Sequence, residues 1–281
     1  MGAAIAESGN QEDAIDAFRK ALSIDPDDAI AHYNMAVSLD ELGRFDEALV
    51  ECRIAIQLDT EYSAAYGELG NLLDSLGQID ESEQAHQESI RLDPGVASRH
   101  YNLAQILERL DRLSEASGEY RKAVELNPDD PEYHWSLGET LRKQDRLDEA
   151  IAAYDEAIRI NPDYSYAHSD RGKVLQTQGK LTEAIDEYHE AIRLDPEDSV
   201  AYSYLGDALM EAGRNEESVA AFRESIRLRP DDADTWYHLG LVQKRIGDLE
   251  AACVSLDKAA SMDDLEVAKL ASEVLKEVKH E

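Results

Sequence analysis

Proline recurs at a fixed interval along this chain of 281 residues, and that interval constrains the fold more than any other feature. Six of the seven prolines stand on a lattice with a 34-residue period, and Pro131 lies off it. Between Pro26 and Pro230, Thr60 fills the one lattice position without proline. A fixed period of about 20–50 residues is the signature of repeat architectures. The chain is therefore predicted to be a row of similar units. The lattice prolines are Pro26, Pro94, Pro128, Pro162, Pro196 and Pro230.

Other columns keep the same period and predict two helices per unit. A column of small residues contains Gly70, Gly138, Gly172, Gly206 and Gly240. A mostly aromatic column contains Phe18, Cys52, His86, Tyr120, Tyr154, Tyr188, Phe222 and Leu256. A turn between the two helices usually holds Gly, which tolerates the left-handed conformation at a helix end. Proline ends the second helix because it forces the preceding residue into an extended conformation.

This pattern resembles the tetratricopeptide repeat (TPR) family, and the resemblance covers essentially the whole chain. The shared motif consists of the 34-residue period, a Leu-Gly pair such as Leu69-Gly70, an Ala-to-aromatic step four residues long and the terminal proline. The resemblance implies an all-α fold: a right-handed α-α superhelix, or TPR solenoid, built from helix-turn-helix repeats.

The whole chain, residues 1–281, is expected to form a single TPR array. A truncated unit at 1–28 precedes full repeats at 29–62, 63–96, 97–130, 131–164, 165–198, 199–232 and 233–264. Residues 265–281 depart from the motif and are predicted to form a capping helix, because the last repeat of a solenoid otherwise exposes its core. The single-sided apolar stripe of this helix is Val267, Leu270, Ala271, Val274, Leu275 and Val278. The N-terminal end shows no comparable cap, which would suit a piece of a longer protein.

Charge and hydropathy exclude several classes of function. Lys and Arg number 28 against 61 Asp and Glu, which gives a net charge of −33. This balance is too acidic for a general nucleic-acid binder and has the wrong sign for docking on anionic membranes. The sequence contains no apolar run long enough to span a membrane, and its start lacks the features of a signal peptide. We expect a cytoplasmic protein, with no nucleic-acid partner and no membrane insertion, and we favour a monomer.

The TPR resemblance also implies that the first helix of each unit lines a concave face, which binds an extended peptide or a helix of a partner. In the repeat at 97–130, the packing stripe centres on Leu103 and Leu107, so at about 100° per residue the opposite side carries Asn102, Gln105 and Arg109. The same calculation along the array gives the predicted peptide-binding residues. These are Asn34, Asn71, Tyr101, Asn102, Gln105, Arg109, Trp135, Arg142, Lys143 and Lys173. The alternative is that these residues only solvate a wet groove and that the partner binds elsewhere.

Basic residues in the middle of this face suggest a partner with acidic residues. Arg142 and Lys143 are adjacent, and Asp145 is the only acid expected beside them; Arg suits bidentate recognition of a carboxylate. In the alternative, acids of the same helices neutralise this group; they are Glu108, Glu132, Glu139 and Asp170. Tyr154 is taken as a control position on the opposite, convex surface. The Lys and Asn clamp that some TPR co-chaperones use for acidic chaperone tails does not occur in this register.

The chain shows no pattern that indicates catalysis, a metal or another cofactor. Four histidines share one column, but neighbouring repeats lie about 10 Å apart, whereas zinc ligands need about 2 Å to the metal. We interpret this column, His32, His100, His134 and His168, as packing. Cys52 and Cys253 are expected to be free thiols. The Gly-Lys pairs at Gly172 and Gly179 lack the spacing of a phosphate-binding loop.

Two hypotheses about function are compatible with these features. The favoured one is a non-catalytic adaptor or scaffold that binds a peptide or protein partner. The alternative is the substrate-recruiting arm of a larger multidomain enzyme, such as a glycosyltransferase fused to TPRs. A catalytic domain beyond Glu281 in the full gene would favour the alternative.

Overall fold

The computed structural model describes residues 10–279, and within that range the chain is all-α, which confirms the predicted class. The described residues form sixteen helices and no strand. The helices are α1 (Gln11–Leu22), α2 (Ala29–Glu41), α3 (Phe45–Leu58), α4 (Ser63–Ser75), α5 (Ile79–Leu92), α6 (Ala97–Arg109), α7 (Leu113–Leu126), α8 (Pro131–Lys143), α9 (Leu147–Ile160), α10 (Ser165–Thr177), α11 (Leu181–Leu194), α12 (Ser199–Glu211), α13 (Asn215–Leu228), α14 (Ala233–Arg245), α15 (Leu249–Ala260) and α16 (Leu265–Val278). Residues 1–9 of the predicted truncated unit and residues 280 and 281 of the predicted cap lie outside the described range.

The chain divides into two compact units, unit 1 (Met1–Gln144, with α1–α8) and unit 2 (Asp145–Glu281, with α9–α16). Inside each unit, helices that follow one another in sequence pack against each other. Helices begin at Ala29, Ser63, Ala97, Pro131, Ser165, Ser199 and Ala233. The partition into 34-residue repeats stays a prediction, and the boundary between the units falls inside the repeat predicted at 131–164.

Several helices begin at an aspartate whose carboxylate accepts a hydrogen bond from a free backbone N–H of the first turn. Asp28 accepts from the N–H of Ala31 at 3.0 Å, and Asp198 accepts from the N–H of Val200 at 2.8 Å. Such caps satisfy donors that the helix itself leaves unpaired. Pro131 occupies the first turn of α8, where its missing N–H costs nothing. Asp caps thus mark the start of several helices, including α2, α8 and α12.

The turn between the two helices of a repeat requires a residue with positive φ. Gly fills this position in five repeats, for example Gly43 with φ of 71°. Asp111 and Asp145 fill it in the other two, with φ of 57° and 59°. Asp visits the left-handed region more readily than most residues but at a cost that Gly avoids. Two repeats therefore contain a turn that is locally less favourable than the rest.

The column of small residues exists because the two helices of a repeat touch at an aromatic ring. A Cβ added at Gly206 would lie 2.6 Å from the ring of Phe222, and one added at Gly172 would lie 2.7 Å from the ring of Tyr188. Both rings are fully buried. The small column and the aromatic column are therefore two halves of one contact.

The histidine column is a packing feature in which Nε2 of each ring is hydrogen-bonded. In each of four repeats the ring Nε2 donates to the carbonyl oxygen of the proline six residues earlier, as in His100 to Pro94 at 3.1 Å. Nδ1 of the same ring lies 2.6 Å from Oε2 of Glu119. Trp236 stands in this column of unit 2, and its Nε1 donates to the carbonyl oxygen of Pro230 at 3.0 Å. The same proline contact recurs for His32, His134 and His168.

Helix α16 covers apolar residues of α15 at the end of unit 2. Its buried side chains are Val267, Ala271, Leu275 and Val278, which pack with Leu256 in one apolar cluster. The predicted apolar stripe is wrong at Leu270, which is 48% exposed. That residue lies on the edge of the buried stripe, where a side chain extends into solvent.

Candidate functional site

The first-helix face of unit 1 is the surface formed by the exposed sides of α2, α4, α6 and α8. Nine of the ten predicted peptide-binding residues lie on these four helices. They are Asn34 on α2, Asn71 on α4, Tyr101, Asn102, Gln105 and Arg109 on α6, and Trp135, Arg142 and Lys143 on α8. The tenth, Lys173, lies on α10 in unit 2. The contacts described next show which of the nine the structure brings together.

The amide groups of α4 and α6 meet on this face. Nδ2 of Asn102 donates to Oδ1 of Asn71 at 3.0 Å, across neighbouring repeats. Asn71 is exposed and Asn102 half-buried. An Asn side chain has two donors and one carbonyl acceptor, so one shared bond leaves hydrogen-bonding capacity on both residues. The pair is a fixed amide group that can still bond the backbone of another chain.

Tyr101 is held by aromatic and polar contacts next to these amides. Its ring centroid lies 5.5 Å from that of Tyr120 and 5.0 Å from that of Tyr133. Its hydroxyl donates to Oε1 of Glu132 at 2.7 Å and accepts from Nε2 of Gln105 at 3.1 Å. Tyr101 is therefore part of the wall of the face, and it orients the amide of Gln105.

Ion pairs between repeats surround a depression on the first-helix face. Arg109 is paired with Asp74 of the preceding repeat, and Nζ of Lys143 lies 3.2 Å from Oε1 of Glu108. The depression has a volume of about 400 Å³ and is lined by Asp74, Gln105, Glu108, Arg109 and Lys143. The side chains of Arg109 and Lys143 remain 50% and 45% exposed, so both cations can reach a ligand.

Glu108 organises this region and was not among the predicted site residues. Its carboxylate accepts from the hydroxyl of Tyr120 at 3.0 Å, from the hydroxyl of Thr140 at 2.9 Å and from Lys143. Asp74, the partner of Arg109, was missed as well. A sequence signal existed for both, because each acid precedes its cation by 35 residues, one repeat and one position.

The expectation that Arg142 and Lys143 have no acid beside them except Asp145 is wrong. Arg142 donates to both carboxylate oxygens of Glu139, one turn earlier, at 3.0 and 2.9 Å. Lys143 reaches Glu108 across the repeat, and Asp145 occupies the left-handed turn. Glu108 and Glu139, two of the four acids offered as neutralising neighbours, therefore do pair with this group. Half-buried Trp135 lies about two turns before Arg142 on α8.

The row that carries Asn34 and Asn102 is interrupted by Glu68 on α4, whose environment is unusual. Burial and the nearby Asp40 carboxylate raise the pKa of Glu68 to about 7, against the opposing effect of a hydrogen bond from Asn71. Its buried Oε1 has no hydrogen-bond partner among the described residues. A carboxyl group in this state is partly protonated at neutral pH, so the row contains a weak acid between two amides.

The first-helix face of unit 2, on α10, α12 and α14, is different in character. Lys173 lies 3.3 Å from Asp170, and its ammonium group stands 4.9 Å from the ring centroid of Tyr204. Nε2 of Gln176 donates to Glu211 at 2.6 Å. His238 pairs with Asp207 at 3.1 Å. Within the described part of unit 2, this face combines aromatic rings and acids, without the paired asparagines of unit 1.

Tyr154 does not lie on an outer surface, so its use as a convex-face control is wrong. The side chain is fully buried, because Tyr154 belongs to the aromatic core column of α9. Cys52, in the same column of α3, is also fully buried, and its thiol donates to the carbonyl oxygen of Ala65 at 3.1 Å. Both cysteines are free thiols.

Among residues 10–279, no group of three or more His, Cys, Asp and Glu side chains is arranged to hold a metal ion. Over the same residues, every helix is too short or too polar to cross a membrane.

These features define an all-helical repeat protein whose exposed helices present polar faces. Models of the tetratricopeptide repeat match residues 67–131, 101–165, 169–233 and 205–263, and a TPR repeat model matches residues 2–41. The chain belongs to the tetratricopeptide repeat family. It has the architecture of a protein-interaction scaffold. No curated protein matches the sequence significantly.

Solved structures show the same fold at low sequence identity. YrrB, described as a TPR protein with an unusual peptide-binding site, is 24% identical with a TM-score of 0.60, over 70% of this chain and 98% of YrrB. The MamA protein is 24% identical with a TM-score of 0.57, over 62% of this chain and 96% of MamA. The C-terminal part of a TPR protein from Cytophaga hutchinsonii is 16% identical with a TM-score of 0.69, over 85% and 98%. At these identities the likeness supports the TPR solenoid fold alone.

Proposed function

We propose that this protein is a non-catalytic scaffold that binds an extended segment of a partner protein on the first-helix face of unit 1. The observation that carries the proposal is the depression lined by Gln105, Arg109 and Lys143, next to the Asn71–Asn102 pair. Amides supply donors and acceptors for a peptide backbone, and the depression can receive a side chain. A groove with these two features fits an extended peptide rather than a small molecule.

The partner segment carries an acidic residue that meets Arg109 and Lys143. Both cations already have an acid partner, but each keeps exposed donors: guanidinium has five N–H groups and ammonium has three. An incoming carboxylate therefore shares these cations with Asp74 and Glu108. Because Asp74 and Glu108 compete for the same cations, the partner's carboxylate contributes little binding free energy. Backbone contacts at the amides therefore contribute the larger part of the affinity.

The test compares a face variant with a matched outer variant of the full chain. Asn102→Ala/Arg109→Ala removes one amide and one cation from the face. Gln84→Ala/Arg91→Ala removes the same chemistry from the exposed side of α5, a second helix. Partners captured by each protein are quantified by mass spectrometry, and the affinity of the main partner is then measured at low and high salt.

We expect the face variant to lose the partner and the outer variant to retain it. Removing a desolvated contact lowers the binding free energy by about 2 kcal/mol or more, whereas removing a solvated charge at the rim lowers it by under about 1 kcal/mol. If the outer variant loses the partner while the face variant binds like the wild type, the face assignment is wrong.

A further inference from the structure

Three clefts recur at one place in the repeat, on the side formed by the second helices. Each lies between the second helix of one repeat and both helices of the next. One is formed by α5, α6 and α7 in unit 1, and two are formed in unit 2, by α9, α10 and α11 and by α13, α14 and α15. Gln87, Asp155 and Arg223 occupy the same position in the three. We call the cleft of α13, α14 and α15 the C-terminal outer cleft.

The first two clefts each contain an arginine that forms ion pairs within the protein. In the unit 1 cleft, Nη1 of Arg112 lies 2.7 Å from Glu83, and Nε of Arg112 lies 2.7 Å from Glu115. In the cleft of α9, α10 and α11, Arg171 donates to Asp155 at 2.6 Å and to Glu187. The arginine in each of these clefts is therefore already paired with carboxylates of the protein.

The C-terminal outer cleft is more apolar than the other two. Leu239 stands at the position of Arg171 in the cleft of α9, α10 and α11, and Val254 stands at the position of Gly118 in the unit 1 cleft. The cavity has a volume of about 470 Å³, with Ile226 and Trp236 completing its apolar wall. Val254 is 64% exposed. Apolar surface held open to water at a concave site gains free energy when a partner covers it.

Arg223 lies on the rim of this cleft without an interaction partner in the described part of the chain. The other seventeen arginines of the sequence each have a hydrogen bond, ion pair or other contact among residues 10–279. In a chain where acids outnumber bases by more than two to one, an unpaired arginine is an exception. Its guanidinium is available to a carboxylate from outside.

The opposite rim carries acid. Asp248 caps α15 by accepting from the N–H of Ala251 at 3.2 Å, and exposed Glu250 follows it in the first turn. The floor is closed by a hydrogen bond from Ser255 to Gln243 at 2.7 Å, with both residues buried. The cleft therefore has an apolar centre, a cation on one side and carboxylates on the other.

We propose that the C-terminal outer cleft is a second docking site, separate from the first-helix face of unit 1. Its occupant is a short segment of a partner protein that presents adjacent large apolar side chains, with an acidic residue on one side of them and a basic residue on the other. The apolar pair covers Val254 and Trp236, the acid forms a bidentate contact with Arg223, and the base meets Glu250.

Trp236 reports directly on this cleft. The chain has two tryptophans, so the Trp135→Phe variant leaves Trp236 as the only indole. The probes are the capped peptides Glu-Leu-Phe-Ala-Lys and its reverse, Lys-Ala-Phe-Leu-Glu, because the direction of binding is open. Matched peptides carry Gln in place of Glu. Trp236 emission is followed during titration with each peptide.

We expect a saturable blue shift with one of the two Glu peptides and roughly tenfold weaker binding of its Gln counterpart. Arg223→Gln should remove that tenfold preference without removing the residual binding. Val254→Asp should abolish the blue shift. Val50→Asp is the matched control, because Val50 has the same repeat position on α3 and is 56% exposed.

The proposal is overturned if neither Glu peptide shifts the emission, or if Arg223→Gln leaves the Glu-to-Gln preference unchanged. Circular dichroism checks that each variant stays helical, and Arg223→Gln, at an exposed position, decides the matter if Val254→Asp does not fold. Sedimentation of the wild type and Val254→Asp without peptide separates a further outcome: if only the wild type self-associates, the cleft binds a second copy of the chain and the proposal is wrong.

Discussion

The aromatic core column differs between the two units. In unit 2 it contains Tyr154, Tyr188, Phe222 and Leu256, all of them large and fully buried. In unit 1 the column includes Cys52 and His86, which are just as buried but smaller. The same backbone contact therefore accepts a phenyl ring, a phenol, an imidazole or a thiol.

In unit 1, burial strongly shifts the pKa values of His86 and Cys52. Burial lowers the pKa of His86 to about 4, and Nδ1 of its ring has no hydrogen-bond partner among the described residues. Burial also raises the pKa of the Cys52 thiol to about 12. Glu68, on the first-helix face of the same unit, has a pKa raised to about 7. A repeat can therefore contain a buried ionisable residue, and the free energy of unfolding then depends on pH.

The largest expected effect on stability comes from replacing a glycine in the column of small residues with a larger residue. A Cβ at Gly206 meets the Phe222 ring, and a Cβ at Gly70 meets the His86 ring, each at 2.6 Å. We expect Gly206→Val to lower the unfolding free energy by about 3 kcal/mol or more, and Gly70→Val by less, because imidazole is smaller than phenyl. Urea unfolding monitored by Trp236 and Trp135 measures the two changes.

Gly118→Val is the control for that comparison, because a Cβ at Gly118 would touch nothing within 4 Å. Its effect should be close to zero apart from helix propensity. If Gly206→Val and Gly70→Val lower the unfolding free energy equally, the ring opposite the glycine does not determine the size of the decrease. The comparison between the units would then fail.

Replacing His86 with Phe should make the column of unit 1 resemble that of unit 2. Between pH of about 6.5 and about 4, the unfolded chain binds a proton on His86 that the folded chain does not. Stability is therefore lost as pH falls through this window, by at most about 3 kcal/mol. We expect His86→Phe to be more stable than the wild type, by an increment that grows as pH falls from 7 to 4.5.

Melting temperatures across this pH range test the prediction. His189→Phe serves as the control because His189 is exposed on α11, so its increment should not change with pH. A constant increment for His86→Phe would show that the imidazole titrates normally in the folded state.

Glu68 should produce a smaller effect of opposite sign. Its pKa is raised, so between pH of about 4.5 and about 7 the folded chain keeps a proton that the unfolded chain has lost, and stability falls as pH rises through this window. We expect Glu68→Gln to stabilise the protein by about 1–2 kcal/mol at pH 8 and by almost nothing at pH 4.5. Glu61→Gln, at an exposed position, is the control. A gain that is equal at both pH values would contradict the shifted pKa.

The amino-acid sequence predicts the helices well because the signals that start and stop them are local. Asp caps, turn glycines and prolines act within a few residues, and the small and aromatic columns record a contact repeated in each unit. The charge pairs were harder to predict. Arg109 pairs with Asp74 rather than with an acid of its own helix, and that choice depends on how far neighbouring first helices are offset.

One feature of the C-terminal outer cleft could have been found from the columns alone. Val254 is apolar where the other two clefts have Gly118 and Asp186, and aligning the repeats shows this directly. The unpaired state of Arg223 could not be found that way, because it depends on which of many nearby carboxylates reach the guanidinium. Likewise, Glu68 is one acid among 61, and only its burial distinguishes it.

The smallest expected effect concerns the turns. Asp111 of unit 1 has φ of 57°, whereas Gly213 fills the same turn position in unit 2 with φ of 76°. The backbone hydrogen bonds are alike: the N–H of Arg112 donates to Leu107 at 2.9 Å, and the N–H of Arg214 donates to Leu209 at 2.8 Å. A non-glycine residue costs up to about 1 kcal/mol in the left-handed region. We therefore expect Asp111→Gly to stabilise the protein by about 0.5–1 kcal/mol and Gly213→Asp to destabilise it by a similar amount, in urea unfolding followed by circular dichroism. If Asp111→Gly is destabilising, the carboxylate contributes to the turn of unit 1 and the two turns are not equivalent.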